Sequence, residues 1–182
     1  MNIQNLINEP LSNNALSQFI DERPNIVSYA EISTMTNINQ IFKNNKNYAI
    51  LFLATQSQNN GHWELIMQDT NNIYFFDSYG LKPCQMIDIL PNKLGQNNNL
   101  LVLMNESPKN CYYSDKKYQL LENDSQTCGR YVTLCLYLFM YFNKTFTFDI
   151  FDFVLTSCKS VKHFPNYDVT IAFLINQRFL GI

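Results

Sequence analysis

The stretch of sequence that decides the fold runs from residue 62 to residue 80 and reads HWELIMQDTNNIYFFDSYG. Two runs of strand-forming residues, 62–68 and 72–80, lie on either side of the polar cluster DTNN. Such a cluster between two apolar runs is typical of a tight turn. The stretch therefore predicts a β-hairpin.

The register of this hairpin decides which side chains share a face of the sheet. A two- or four-residue loop centred on the turn pairs Gln68 with Ile73, and therefore His62 with Tyr79. Asp77 then lies diagonally opposite His62 on the same face, about 7–8 Å away between Cα atoms, within reach of a carboxylate–imidazole hydrogen bond. A three-residue loop would place Asp77 on the other face. Alternatively, Asp77 is only a polar residue that ends a strand before a glycine turn.

The regions around the hairpin predict further strands and several helices. The apolar runs YAILFLAT at 48–55 and NLLVLMN at 99–105 have strand length. Between the hairpin and the second run, 85–94 predicts a short helix or a turn, interrupted by Pro91. Helices are predicted over 12–22, 129–143, 148–159 and 168–180. Central strands with helices towards both ends indicate an α+β fold. Because no repeat or linker divides the chain, residues 1–182 are expected to form a single domain.

The composition excludes some classes of partner. The chain has 182 residues, of which 46% are hydrophobic, so one domain with a substantial core is expected. Only 15% of the residues are charged and the net charge is −2, which gives no general attraction to nucleic acid or to an anionic membrane. The longest apolar run, 132–142, is too short to cross a bilayer, and the first residues lack the pattern of a signal peptide. No membrane partner is expected.

The cysteines and histidines argue against both a disulfide framework and a zinc site. The five cysteines are at positions 84, 111, 128, 135 and 158. Their number is odd, no two have CxxC spacing, and no secretory signal is present, so reduced thiols are expected. The two histidines, His62 and His163, do not complete a ligand set with any cysteine pair, so no metal site is expected.

Cys128 stands out because it lies where a buried helix is expected to begin. A helix N-terminus carries unpaired N–H groups and partial positive charge, which lower the pKa of a thiol placed there. Gly129, with no side chain, would let a substrate carbonyl approach these N–H groups. The alternative is a structural cysteine that behaves as a small buried apolar residue. A histidine base would favour the reactive thiol, and His62 at a strand start is a better candidate than His163 in a loop.

Two blocks, GHWELIMQDTNNIYFFDSYG at 61–80 and DSQTCGRYV at 124–132, resemble the cysteine proteases of the adenovirus-protease and SUMO-protease clan. The resemblance covers roughly residues 48–143 and is strongest to the capsid-maturation proteases of virophages and Polinton-like DNA viruses, of the mavirus type. It implies a papain-like-clan domain with a mixed central sheet flanked by helices. It also implies Cys128 at the start of the central helix as the nucleophile, His62 as the general base and Asp77 as the orienting carboxylate. Trp63 and Gly129 would line the substrate channel.

The sequence departs from the family pattern at the oxyanion-stabilising glutamine, which the family places six or seven residues before the cysteine. Those positions hold Glu122 and Leu121 here. Gln119, nine residues before Cys128, is the substitute, because Gln126 is too close to the thiol to turn back. The backbone N–H of Cys128 is the second expected donor.

The resemblance implies a viral cysteine endopeptidase that processes capsid or other virion proteins during maturation, in the virus factory of the host cytoplasm and inside the virion. Capsid proteins would be its substrates and partners, some relatives use a peptide or DNA activator, and no metal or organic cofactor is required. Three alternatives remain open at this stage. The same residues serve removal of a ubiquitin-like modifier and acetyl transfer in other members of the clan, and a binding module could retain the fold without activity.

Overall fold

The computed structural model describes residues 7–8, 24–57, 60–90, 92–119 and 126–180. The helix predicted over 12–22 and the predicted interruption at Pro91 lie outside these residues. Within them, five strands form one sheet in the order β1-β2-β3-β4-β5, so each strand lies beside its neighbour in the sequence. The strands are β1 Ile26–Ser28, β2 Tyr48–Ser57, β3 Asn60–Gln68, β4 Asn72–Phe76 and β5 Asn110–Tyr113.

The sheet is mixed, because its two outer pairs are parallel and its two inner pairs are antiparallel. The predicted hairpin is formed by β3 and β4, and its predicted register is confirmed: Gln68 pairs with Ile73 and Leu65 pairs with Phe76. The turn is held by the Asp69 side chain, whose Oδ1 accepts hydrogen bonds from the backbone N–H groups of Asn71 and Asn72, both at 2.8 Å. Polar residues thus set the loop length on which the register depends.

The helices lie on the two faces of the sheet. They are α1 Tyr29–Ile32, α2 Pro83–Ile89, α3 Asn99–Glu106, α4 Cys128–Phe142, α5 Phe148–Lys162 and α6 Tyr167–Leu180. The apolar cluster on one face joins β2, β3 and β4 to α4, α5 and α6. A second cluster, on the other face, joins the same strands to α1, α2 and α3. The fold is therefore α+β, with a mixed five-stranded sheet flanked by helices, as the sequence predicted.

One predicted element is wrong. The run 99–105 was expected to be a strand, but it forms the helix α3. Leu100, Leu103 and Met104 are its buried residues, and this spacing puts them on one helical face against the sheet. A short apolar run does not distinguish a buried strand from a buried helix by itself. The edge of the sheet is formed instead by β5, which lies parallel to β4.

No helix among the described residues combines the length and the apolar character that crossing a membrane requires. The longest apolar run belongs to α4, whose side chains are buried against the sheet from Cys128 to Leu136. This helix is buried over most of its length because it packs between the sheet and the two C-terminal helices.

The aromatic contacts between α5 and the sheet give a test of the packing. Phe151 is fully buried, and its ring packs edge-on against Phe76, with ring centres 4.8 Å apart, and against Tyr118 at 5.1 Å. We expect Phe151→Ala to lower the free energy of unfolding by about 3–5 kcal/mol, because it leaves a cavity in the core. Urea unfolding followed by circular dichroism measures this loss.

Phe153 on the same helix is the matched control, because its side chain is 72% exposed. Phe153→Ala should change the free energy of unfolding by no more than about 0.5 kcal/mol. Equal losses from the two substitutions would contradict the packing described for α5.

Candidate active site

His62 and Asp77 form a buried hydrogen-bonded pair at the end of the hairpin. His62 Nε2 and Asp77 Oδ1 are 2.6 Å apart, and the two residues are 4% and 0% exposed. The backbone N–H of Tyr79 donates to Asp77 Oδ1 at 3.1 Å, and that of Leu81 donates to Oδ2 at 3.2 Å. The Tyr79 ring stacks on the imidazole with centres 4.6 Å apart. The carboxylate and the imidazole are therefore both fixed in orientation, as the predicted diagonal pairing requires.

Two glycines allow the backbone to come close at both members of this pair. Gly61 precedes His62, and a Cβ atom there would lie 2.1 Å from the carbonyl oxygen of Leu53 on β2. Gly80 has a φ of 70°, and its N–H donates to the carbonyl of Asp77 in a tight turn. A side chain at either position would collide or be strained, so these glycines place His62 and Asp77.

Cys128 is the first residue of α4 and lies against the imidazole. The residue is 8% exposed, and its thiol hydrogen-bonds to the His62 ring. The sulfur also accepts from the backbone N–H groups of Trp63 and Gly129. Because Asp77 occupies Nε2, the nitrogen that faces the thiol is Nδ1. The structure thus brings together the three residues that the sequence predicted as a catalytic set, in the order carboxylate, imidazole, thiol.

The start of α4 is anchored by a buried carboxylate that the sequence analysis did not identify. Thr127 immediately precedes the helix, and its hydroxyl donates to Asp168 Oδ1 at 2.5 Å. The Tyr131 hydroxyl donates to the same oxygen at 3.2 Å. Asp168 lies in the first turn of α6, so α6 holds the residue before Cys128 and the residue one turn after it. No motif near Cys128 indicates this contact, which depends on the packing of α6.

The charges of the site favour a thiolate–imidazolium pair. Burial by itself lowers the pKa of His62, but the charge and hydrogen bond of Asp77, together with the contact to Cys128, raise that pKa well above its usual range. Burial by itself raises the pKa of Cys128, whereas the hydrogen bond and charge of His62 and the backbone N–H groups of Trp63 and Gly129 lower it overall. Both directions favour transfer of the thiol proton to the imidazole, which would make the sulfur a stronger nucleophile.

Gln119 lies beside the residue that follows Asp77. Its side chain is fully buried, and its Oε1 accepts a hydrogen bond of 2.9 Å from the Ser78 hydroxyl. Its backbone N–H donates to the Ser78 carbonyl, also at 2.9 Å. Since the carbonyl oxygen of the amide is engaged by Ser78, the amide N–H₂ forms the donor end of the side chain. Glu122 and Leu121, the positions that the family pattern would use, lie outside the described residues.

Trp63 and Gly129, the predicted channel residues, both contact the sulfur of Cys128 through their backbone N–H groups. Trp63 points to the opposite face of the sheet from His62, as strand alternation requires. Its indole is half-buried, with its centre 4.8 Å from that of Phe52, and packs against the core cluster around α4. His163 is exposed at the C-terminal end of α5, so the sequence-based preference for His62 agrees with its position.

Glu64 is a second carboxyl group in the site that the sequence analysis missed. It is fully buried on the same strand as His62, two residues further along, and accepts a hydrogen bond of 2.5 Å from the Tyr29 hydroxyl. The alternation of β3 puts Glu64 on the same face as His62, which was the available signal. Burial and the charge of Asp77 raise the pKa of Glu64 to about 8, although His62 and Tyr29 act in the opposite direction.

His62, Glu64 and Asp77 each have a potential metal-binding atom within 4.8 Å of the others. However, His62 Nε2 and Asp77 Oδ1 are joined by a 2.6 Å hydrogen bond. A cation bound to both of these atoms would have to replace that hydrogen bond. A carboxylate bound to the ring nitrogen opposite a thiol is an arrangement for proton transfer.

Comparisons with known proteins connect the chain to one viral protein. No protein-family model matches it. Over 134 residues it is 31% identical to the "Uncharacterized protein V9" of Sputnik virophage, an alignment that covers 70% of this chain and 75% of that protein. Among solved structures it is similar to the central domain of the uncharacterized Lpg1148 protein from Legionella pneumophila, with a TM-score of 0.42 and 14% identity, over 95% of this chain and 99% of that one. This structural likeness is too distant to support a conclusion about function.

The pKa directions predict that one thiol is alkylated at lower pH than the others. Cys128 should react with iodoacetamide at a lower pH than an ordinary thiol does, because its pKa is lowered. Cys111 and Cys158, which are partly exposed, should become reactive only at higher pH, because burial raises the pKa of each thiol. Mass spectrometry of peptides after brief labelling at a series of pH values measures each profile. His62→Ala should move the Cys128 profile up to that of an ordinary thiol, and coincident profiles in the unmodified chain would contradict the ion pair.

Proposed function

The chain belongs to the virophage protein family that includes Sputnik virophage protein V9, and from this relationship and the site geometry we propose that it is a viral cysteine endopeptidase. Its proposed role is to process capsid or other structural proteins during virion maturation. The observation that carries the proposal is a buried imidazole with Asp77 on one ring nitrogen and the Cys128 thiol at the other side. This order of groups is the one that nucleophilic acyl transfer needs.

In the first step, the Cys128 thiolate attacks the carbonyl carbon of the scissile peptide bond. A C–S bond forms, and the electron pair of the C=O bond moves to the oxygen. The resulting oxyanion lies at the start of α4, where the backbone N–H of Cys128 can donate to it. The amide N–H₂ of Gln119, whose orientation Ser78 fixes, is the proposed side-chain donor.

In the second step, the oxyanion collapses and the C–N bond breaks. The imidazolium of His62 gives its proton to the departing amine, which leaves a thioester on Cys128 and a neutral imidazole. His62 then takes a proton from water as the water attacks the thioester, and the C–S bond breaks to release the acid and restore the ion pair. Asp77 keeps Nδ1 facing the sulfur and stabilises each imidazolium that forms.

The proposed substrates are glycine-containing sites in capsid proteins, by the resemblance to the protease clan. Gly129, whose backbone N–H contacts the sulfur, has no side chain and leaves room for a substrate carbonyl at the start of α4. Under this proposal the domain is of the papain-like clan and acts in the virus factory of the host cytoplasm and inside the virion. The chemistry requires no metal or organic cofactor.

The direct test is co-expression of the chain with the major capsid protein of its virus. Cys128→Ala should abolish capsid cleavage without unfolding the protein, because the reaction loses its nucleophile. Gel electrophoresis and mass spectrometry of the capsid protein detect the cut. Cys135→Ala is the matched control, since Cys135 is a buried thiol on the same helix and should be dispensable. If Cys128→Ala still processed the capsid protein, Cys128 could not be the nucleophile. If the chain cleaved a ubiquitin-like fusion but not the capsid protein, removal of a ubiquitin-like modifier would be the favoured function instead.

The role of Gln119 can be tested by kinetics. Gln119→Ala should lower kcat by about 10²–10³-fold with little change in KM, because an oxyanion donor acts mainly in the transition state. Gln126→Ala is the control, as Gln126 is exposed and close to the nucleophile in sequence. If kcat in Gln119→Ala stayed within about twofold of wild type, the side-chain donor would have to be another group.

A further inference from the structure

Glu64 is a buried ionisable group beside the proposed catalytic residues that the mechanism does not use. Glu64 is fully buried in β3 and shares a face with His62. Its Oε2 accepts from the Tyr29 hydroxyl at 2.5 Å, while its Oε1 is buried and has no hydrogen-bond partner among the described residues. A buried polar atom without a partner costs free energy, so such an atom beside a reactive centre needs an explanation.

The position of Glu64 restricts its charge. One oxygen of Glu64, one oxygen of Asp77 and a ring nitrogen of His62 lie within 4.8 Å of one another. The groups that face Glu64 are Tyr29 from α1, His62 on its own strand, Asp77 after β4 and Cys128 at the start of α4. With Asp77 and the Cys128 thiolate both negative, one imidazolium is the single positive charge in this set. A third anion in the same buried space would be strongly disfavoured.

We propose that Glu64 is a positioning residue of the active site, held as a neutral carboxylic acid behind His62, so that Asp77 remains the single negative charge on that side of the imidazole. The inference rests on the proposed function, because it assigns Glu64 a part in the acid–base cycle of His62. It acts through His62 and does not touch the substrate.

The electrostatic effects on Glu64 agree with this placement. Burial and the negative charge of Asp77 raise the pKa of Glu64 to about 8, so the group is mostly neutral at pH 7. Above that pH its ionisation adds a second negative charge beside the imidazolium, which raises the pKa of His62 further. A more tightly held proton is a weaker acid towards the departing amine. Glu64 thereby sets an upper pH limit for the step in which the peptide bond breaks.

The experiment is an NMR titration of the two histidines, since His62 and His163 are the only ones in the chain and His163 is an exposed internal reference. In Glu64→Gln, which is permanently neutral, His62 should lose its proton at a lower pH than in wild type, while His163 titrates at the same pH in both. With ¹³C-labelled glutamate, one carboxyl resonance of the wild type should titrate near pH 8 and be missing in Glu64→Gln. Glu106→Gln, at an exposed position, is the matched control and should leave His62 unchanged.

Two results would overturn the inference: a Glu64 carboxyl that titrates together with the exposed glutamates, or an identical His62 titration in wild type and Glu64→Gln. If Glu64→Gln does not fold, Tyr29→Phe replaces it. Loss of the Tyr29 hydrogen bond, which lowers the pKa of Glu64, should raise the pH at which that resonance titrates, and an unchanged or lower midpoint would also reject the inference. None of these measurements uses a substrate, so failure of the capsid-cleavage test would be distinguishable from failure of this one.

Discussion

The 2.6 Å hydrogen bond between His62 and Asp77 is the interaction on which the site depends, because both groups are withdrawn from water. A buried charge is costly unless it is paired, so neither residue is stable there without the other. The pair exists because the β3–β4 register places the two residues diagonally on one face, and because the backbone N–H groups of Tyr79 and Leu81 hold the carboxylate. A one-residue slip in that register would send Asp77 to the opposite face.

The thiol reaches this pair from a separate part of the fold. Cys128 begins α4, and α4 packs on the sheet through the apolar cluster that also includes α5 and α6. The contact of Thr127 and Tyr131 with Asp168 ties the first turn of α4 to α6. The helix start supplies N–H groups and partial positive charge, and the sheet supplies the imidazole, so neither element alone would produce a reactive thiolate. Packing of the core therefore serves the chemistry directly.

Under the proposal for Glu64, two buried carboxyl groups of one site differ in charge because their surroundings differ. Asp77 receives two backbone N–H groups and the imidazole, whereas Glu64 receives the Tyr29 hydroxyl and has one oxygen without a partner among the described residues. Hydrogen bonds and a positive neighbour favour a carboxylate, while burial next to another anion favours the neutral acid. Two acids a few ångströms apart can thus have distinct parts in one proton-transfer centre.

Local signals in the sequence predicted the hairpin and the helix at Cys128, and a loop of two or four residues gave the register that brings His62 to Asp77. The structure decided between that register and the one from a three-residue loop. The hairpin and its register depend on a tight turn and on side-chain alternation, both of which act over a few residues. The tertiary structure alone decided that 99–105 is a helix, that β5 completes the sheet, and that Asp168 and Tyr29 reach Thr127 and Glu64. Burial depends on how distant segments pack together, so it cannot be read from a local pattern. Packing decides whether a short apolar run becomes a helix or a strand, and it also affects the charge of a buried carboxyl group.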